Sequence, residues 1–168
     1  MPTALLDSAT IDLKSEALAE IDATEKFFDR TTRCLEEADS AFRPHPATYS
    51  VAAHVDHVAD VIDWFREGCL HDRWSMDFES AIAESHRATS LEAARIELAM
   101  AFSRLREEIA GTSVERLAEV LPENPILPGR PRFHVTSAVV DHTAHHRGAL
   151  AVYARLLGGE PLMPYGDD

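Results

Sequence analysis

Histidines are concentrated in one stretch near the C-terminal end of the sequence, residues 141–150. This stretch contains His142, His145 and His146, and it is predicted to be helical because no proline interrupts it and Ala, Val and Leu surround it. Residues four apart lie on one face of a helix, so the imidazoles of His142 and His146 can reach the same cation. Neutral imidazole is the commonest protein ligand for zinc, nickel and related metals. His145 lies three residues after His142 and could replace one member of the pair.

The histidine pair shares only part of the pattern of a zinc peptidase. In the zincin motif a glutamate directly follows the first histidine and acts as general base, whereas here that position is Thr143. A peptidase would therefore lack its proton acceptor, and the sequence argues against that activity. The simplest alternative is a helix with solvated histidines that bind nothing.

A second histidine cluster favours metal binding, because a closed site needs ligands from more than one element. His54 and His57 lie on another predicted helix. One of them, together with His142 and His146, would make a three-histidine site. Such a site leaves at least one coordination position for water or substrate, as in catalytic metal centres. Without thiolate ligands, zinc, nickel, iron and manganese are all admissible, and we expect zinc or nickel.

The overall composition disfavours several classes of partner. The 168 residues include 16 Lys and Arg against 29 Asp and Glu, a formal net charge of −13, so nucleic acids and anionic membranes would be repelled on average. The longest stretch free of Asp, Glu, Lys and Arg is 44–55, far shorter than the ~20 apolar residues of a membrane span. The N-terminal residues lack the basic start and apolar core of a signal peptide. Cys34 and Cys69 are predicted to be small buried side chains in a reducing compartment, and we expect a cytoplasmic protein.

Apolar residues recur at helical spacing in four long segments. Helices are predicted over 8–40, 51–70, 91–110 and 133–157. Shorter helical pieces are predicted over 77–86 and 114–121, and a proline-rich loop over 122–131. Four long amphipathic helices predict an all-α four-helix bundle, organised as a single domain over 1–168.

The apolar stripes of the first three long helices define a predicted core. They consist of Ile11, Leu18, Ile21, Phe28 and Leu35; Val51, Val55, Val58, Ile62 and Phe65; and Leu91, Ala94, Leu98, Phe102, Leu105 and Ile109. Ser50 and Ser90 are predicted N-caps. Gly111 is predicted to end the third long helix in the left-handed conformation, and Gly158 to end the last.

Three short motifs resemble the DinB-like family. The stretch from His142 to Leu150, with its histidine pair followed by Arg-Gly, is similar to the HxxxHRGQ-type signature on that family's fourth helix. The stretch from His57 to Trp64 is similar to the family's second-helix segment, and the Gly-Gly-Glu-Pro-Leu tail is similar to its ending. The family often has Gln where this sequence has Ala149, which removes a polar contact but not the histidines. The resemblance covers nearly the whole chain in helix order.

The resemblance implies a DinB-like four-helix bundle whose metal ligands are His57, His142 and His146. His54, three residues earlier, remains the competitor for His57. Characterised members of the family include thiol-dependent transferases and isomerases that use mycothiol, bacillithiol or glutathione. The same site with bound water would give a hydrolase. The further alternative is a non-catalytic, metal-stabilised bundle that acts as an interaction module.

The residues around the motifs have predicted supporting roles. Trp64, Tyr153 and part of the 122–131 loop are expected to line a cavity in front of the metal, where a small-molecule substrate and a low-molecular-weight thiol would bind. Arg147 is expected to pair with a carboxylate that fixes its helix, and Gly148 to permit close helix packing. Long amphipathic helices make a homodimer plausible. No residue is assigned a catalytic role.

Overall fold

The structure, a computed structural model, describes residues 12–166, which form helices and the segments that connect them. The helices are α1 (Leu13–Thr32), α2 (Val51–His71), α3 (Phe78–Ser85), α4 (Leu91–Gly111), α5 (Val114–Ala118) and α6 (His134–Leu156), with a 3-10 turn at Glu37–Asp39. Over this range the only β-type pairing is an isolated bridge between Val120 and Pro131. The four long helices are α1, α2, α4 and α6, so the predicted all-α four-helix architecture is confirmed. No helix in the described range is both long and apolar enough to cross a membrane.

Packing of the four long helices buries the predicted apolar stripes. Helices α4 and α6 each pack against both α1 and α2. All six stripe residues of α4 are buried, and the stripe of α2 is buried except for Phe65, which is partly buried. In α1 the stripe is likewise buried apart from Leu18, which packs against the core from its edge. Ser8 and Ile11, where the first helix is predicted to begin, lie outside the described residues.

The ends of the helices follow local capping chemistry. The Ser50 and Ser90 hydroxyls each accept a hydrogen bond from the backbone N–H three residues on, at 3.2 and 3.1 Å, which satisfies a donor that the first turn leaves free. Gly158 has φ 84° just after α6, as predicted. The prediction for Gly111 is wrong, because Gly111 is the last residue of α4 and Thr112 ends the helix in an extended conformation.

Helix α1 ends at Thr32 rather than at the predicted residue 40. The guanidinium of Arg95, from α4, donates hydrogen bonds to the carbonyls of Thr32 and Leu35 at 2.9 and 3.1 Å. These carbonyls therefore face a side chain of another helix instead of continuing the ladder of α1. The cause is a tertiary contact that the local sequence does not reveal.

Two hydrogen bonds at opposite ends of α2 show that α2 and α6 run antiparallel. The Tyr153 hydroxyl, near the end of α6, donates to the carbonyl of Tyr49 at 3.2 Å, just before α2 begins. Arg132, just before α6, donates to the carbonyl of Cys69 in the last turns of α2 at 2.7 Å. The first turns of α2 therefore lie beside the second half of α6.

The segment 73–85, which includes α3, packs on the outer side of α2. Trp74 lies so close to Gly68 that a Cβ at position 68 would overlap the indole ring. The Trp64 indole N–H donates to the carbonyl of Ser75 at 2.7 Å. These two contacts attach the segment to the C-terminal part of α2. A cavity lies between the segment and α2.

Candidate metal centre

The three histidines predicted as metal ligands lie together in the structure. His57 projects from α2 and His142 and His146 project from α6. Each offers one ring nitrogen such that the three atoms lie within 4.8 Å of one another. The ring centroids are 5.1 Å apart for His57 and His142, 4.9 Å for His57 and His146, and 4.5 Å for His142 and His146. The i,i+4 spacing on α6 and the antiparallel packing of α2 produce this arrangement.

The two competing histidines lie in different places. His54 is buried behind the cluster, and its Nδ1 lies 2.8 Å from Nδ1 of His146. A hydrogen bond at this distance needs one protonated and one unprotonated nitrogen, so one ring donates and the other accepts. His145 is exposed, and its ring meets that of His146 edge-on at 4.9 Å between centroids.

The electrostatic environment keeps the cluster neutral near pH 7. Burial, reinforced by neighbouring imidazoles, lowers the pKa of His142 to about 4 and that of His146 to about 2. Burial also lowers the pKa of His57 below its ordinary value. Neutral imidazole is the form that binds a metal. The Nε2 atom of His142 is buried and lacks a hydrogen-bond partner among the described residues, as a nitrogen reserved for a cation would.

A cavity of about 850 Å³ lies in front of the cluster, between α2 and the segment 73–85. His57 and His142 both form part of its wall. The other lining residues are Asp60, Val61, Asp63, Trp64, Phe65, Glu67, Arg73, Trp74, Ser75, Asp77, Phe78, Ala81, Ile82, Glu84 and Ser85. The accessible surface of this wall is mostly apolar, as is usual for sites that bind small organic molecules.

Trp64 lines the cavity as expected, but two other expectations about its wall are wrong. Tyr153 is buried on the far side of His54, with 5.1 Å between the ring centroids, and it does not reach the cavity. The 122–131 loop lies at the other end of α2, where Arg132 joins Asp72 through two hydrogen bonds of 2.7 and 2.9 Å. The connection after α2 supplies the wall instead.

Sequence reasoning missed the residues that surround His57. The Ser85 hydroxyl lies 3.5 Å from Nδ1 of His57 and donates to the Asp60 carboxylate at 3.2 Å. The Tyr49 ring stacks on His57, with 5.0 Å between centroids and 24° between planes. Asp60 could have been found, because it lies one turn after His57 in the same motif. Ser85 and Tyr49 come from other segments, so no local signal marks them.

Arg147 and Gly148 have surroundings different from those predicted. The Arg147 guanidinium lies over the rings of Phe27 and Tyr165, at 5.8 and 6.0 Å from their centroids, and no ion pair joins it to a carboxylate within residues 12–166. It fixes α6 to α1 and to the C-terminal tail through cation–π contacts. A Cβ at Gly148 would meet no atom within 4 Å, so helix packing does not require glycine there.

Comparison with known proteins agrees with the fold. The family model described as the DinB superfamily matches residues 20–150. Among solved structures, YfiT from Bacillus subtilis is similar, with a TM-score of 0.65 at 11% sequence identity over 95% of this chain and 94% of that one. YfiT is described as a probable metal-dependent hydrolase with an unusual four-helix bundle topology. No curated protein is significantly similar in sequence.

Proposed function

Because the chain belongs to the DinB superfamily, we propose that it is a metal-dependent enzyme acting on a small organic molecule, with His57, His142 and His146 holding one divalent cation. The observation that carries this proposal is the cavity, whose wall includes His57 and His142. A purely structural metal site needs no open space beside its ligands, whereas a catalytic site does.

The side chains themselves fit a cation of the zinc or nickel type. Three imidazoles with lowered pKa values are neutral at pH 7, and the unpartnered Nε2 of His142 is buried at the cluster. A divalent cation bound there would act as a Lewis acid and lower the pKa of a thiol or water beside it. The chain has only to hold three neutral nitrogens at one point and keep the cavity accessible.

Hydrogen-bond partners of His57 and His146 would set which nitrogen of each ring faces the cation. The Ser85 hydroxyl has the Asp60 carboxylate and the Ala81 carbonyl as acceptors for its own proton, so its oxygen can accept from His57 Nδ1–H, which would leave Nε2 of His57 unprotonated. His54 does the same for His146 when His146 is the donor of the pair. Such partners fix the tautomer and orientation of ligating histidines. Tyr49 covers the outer face of His57.

For the reaction, we propose thiol-dependent transfer or isomerisation. Three neutral ligands leave the charge of a divalent cation uncompensated, so an anionic partner such as a thiolate is favoured. The cavity of about 850 Å³ is at the upper end of the range for small-molecule sites, large enough for a thiol and a second organic molecule together. A metal-stabilised interaction module would leave this cavity without a purpose.

Hydrolysis is the second candidate, and one residue favours it. The Asp60 carboxylate lies in the wall of the cavity one turn from His57, and burial raises its pKa. A carboxylate in that position can accept a proton from a water molecule. YfiT, which has a similar fold, is described as a probable metal-dependent hydrolase.

One experiment separates the two reactions. Protein purified without an affinity tag is analysed for bound metal, then loaded with cobalt and titrated with low-molecular-weight thiols. Thiol-dependent chemistry predicts a sulfur-to-cobalt absorption band that His57→Ala abolishes. Hydrolysis of a simple ester or amide that His57→Ala abolishes, with no such band for any thiol, would replace the first proposal with the second.

A further inference from the structure

The cavity has a mostly apolar surface, and acidic groups are among the residues that line it. Its inner surface is formed largely by Val61, Trp64, Trp74, Phe78 and Ile82. Three of these are aromatic and lie against one another, with Trp64 at 5.0 Å from Trp74 and at 5.7 Å from Phe78 between centroids. Aromatic faces carry partial negative charge and attract cations as well as apolar groups.

Most of the acidic groups that line the cavity already have an ion-pair or hydrogen-bond partner. Five carboxylates and one guanidinium line the cavity, namely Asp60, Asp63, Glu67, Asp77, Glu84 and Arg73. Asp63 pairs with Arg66 and Arg104, and Glu67 pairs with Arg66 and Arg73. Glu84 pairs with Arg87. The Asp77 carboxylate caps the first turn of α3.

Within residues 12–166, Asp60 and Asp77 are the two of these carboxylates that no cationic side chain pairs with, and of the two Asp60 lies one turn from His57. The Asp60 carboxylate accepts a hydrogen bond from the Ser85 hydroxyl at 3.2 Å. Burial raises its pKa, and the nearby charge of Asp63 adds to the effect. A carboxylate that has no cation beside it and lines a mostly apolar cavity attracts a positively charged group of a ligand.

From this arrangement we infer that the cavity binds a small molecule with an apolar body and one protonated amino group. The body lies against Trp64, Trp74 and Phe78, and the ammonium group lies at Asp60. The inference rests on the proposed function, since it takes the same cavity to be the substrate site. Asp60 is one turn from His57 on α2, so the other end of a bound molecule remains close to the histidine cluster. Molecules with carboxylate or phosphate groups are disfavoured, because five carboxylates and one guanidinium line the cavity, and that guanidinium, of Arg73, already pairs with Glu67.

The test compares three ligands of the same shape and different charge, namely phenylpropylamine, phenylpropanol and phenylpropanoate. Binding to metal-free protein is measured at about pH 8, where the amine is protonated and Asp60 is ionised. The two tryptophans of the chain, Trp64 and Trp74, both line the cavity, so their fluorescence reports binding. We expect the amine to bind about fivefold more tightly than the alcohol, and the acid most weakly, because a partly exposed charge pair contributes up to about 1 kcal/mol.

The matched variants are Asp60→Asn and Glu84→Gln, which remove the same charge from the same cavity. Asp60→Asn is expected to abolish the advantage of the amine and to leave the alcohol unchanged, whereas Glu84→Gln keeps the advantage. Equal loss in both variants would mean general attraction by an acidic protein and would overturn the inference. Equal binding of the amine and the alcohol by the unsubstituted chain would also overturn the inference. This outcome does not depend on whether a variant folds.

Repeating the titration with zinc-saturated protein separates this inference from the proposed function. Failure to bind zinc at His57, His142 and His146 would refute the metal-dependent function even if the preference for the amine persisted. Stoichiometric zinc together with no preference for the amine would refute only the substrate class.

Discussion

The Nδ1 atoms of His54 and His146 lie 2.8 Å apart in the core between α2 and α6. If His146 presents Nε2 to a cation, its Nδ1 must carry the proton, and His54 must then be the acceptor. This relationship assigns one tautomer to each ring. In the proposed site, His54 would therefore position His146 rather than bind the cation itself.

We expect His54→Phe to weaken zinc binding by about 10- to 100-fold, the range found for residues that support ligating histidines. His54→Asn keeps an acceptor oxygen near the same place and is expected to recover part of the affinity. Competition with a chromophoric chelator measures the dissociation constants, and nitrogen NMR of the imidazoles reports the tautomer of His146. Unchanged affinity and tautomer in His54→Phe would show that His146 needs no such support.

The assignment of the ligands predicts a sharp difference between neighbouring histidines. His142→Ala and His146→Ala are expected to lose stoichiometric metal, because each removes one of three nitrogens that lie within 4.8 Å of one another. His145→Ala, on the exposed side of the same helix, is expected to retain it. Metal content is measured by elemental analysis after dialysis. Full occupancy in both core variants would refute the three-histidine site.

The buried imidazoles predict that metal-free protein loses stability in acid. The pKa values of His54 and His142 are about 4 in the folded chain, against about 6.5 for an unfolded histidine. Between these values the unfolded chain binds more protons, so the free energy of unfolding falls as pH decreases from about 6.5 to about 4. Urea denaturation across this window measures the slope. His142→Gln should flatten the slope.

Metal occupancy should also decrease as the pH falls. Protons compete with the cation for the ring nitrogens, so occupancy falls in acid. Because the pKa of His142 is about 4 when the chain is folded, direct competition should begin well below the usual value of about 6.5. Zinc content is measured at equilibrium over descending pH, with circular dichroism to separate release from unfolding. Full occupancy well below the pKa of His142, with the fold still intact, would contradict ligation by three histidines.

Two glycines provide a test of the cavity wall. Gly68→Ala is expected to destabilise the protein by about 1–3 kcal/mol, the usual effect of overpacking, because the new methyl group overlaps Trp74. Gly148→Ala is the control: it lies in a helix with open space around it, so it should stabilise the protein by about 0.5–1 kcal/mol. Urea denaturation followed by circular dichroism measures both. Equal effects would mean that Trp74 does not rest on Gly68.

Periodicity along single helices could be predicted from the sequence, but packing between helices could not. The stripe of α4 and the pair His142 and His146 depend only on spacing, and both appear in the structure as expected. The choice between His54 and His57 depends on how α6 lies against α2, because both histidines sit on neighbouring faces of one helix.

The cavity wall escaped prediction for a similar reason. The wall depends on the contact between Trp74 and Gly68, which forms only after the chain has turned at the end of α2. The spacing of residues along single helices does not predict this contact, and it points to Tyr153 and the 122–131 loop instead. The single domain over 1–168, the homodimer and the cytoplasmic location stay predictions.

The candidate metal ligands and the outer wall of the cavity come from different parts of the chain. His57, His142 and His146 lie on α2 and α6, whereas Phe78 and Ile82 belong to the segment that connects α2 to α4 and are about half exposed. Substitutions in that segment can reshape the cavity while the bundle core and the histidines stay intact. Such a separation lets a lineage acquire new substrates by changing one surface segment, while a single ancestral chemistry is inherited unchanged.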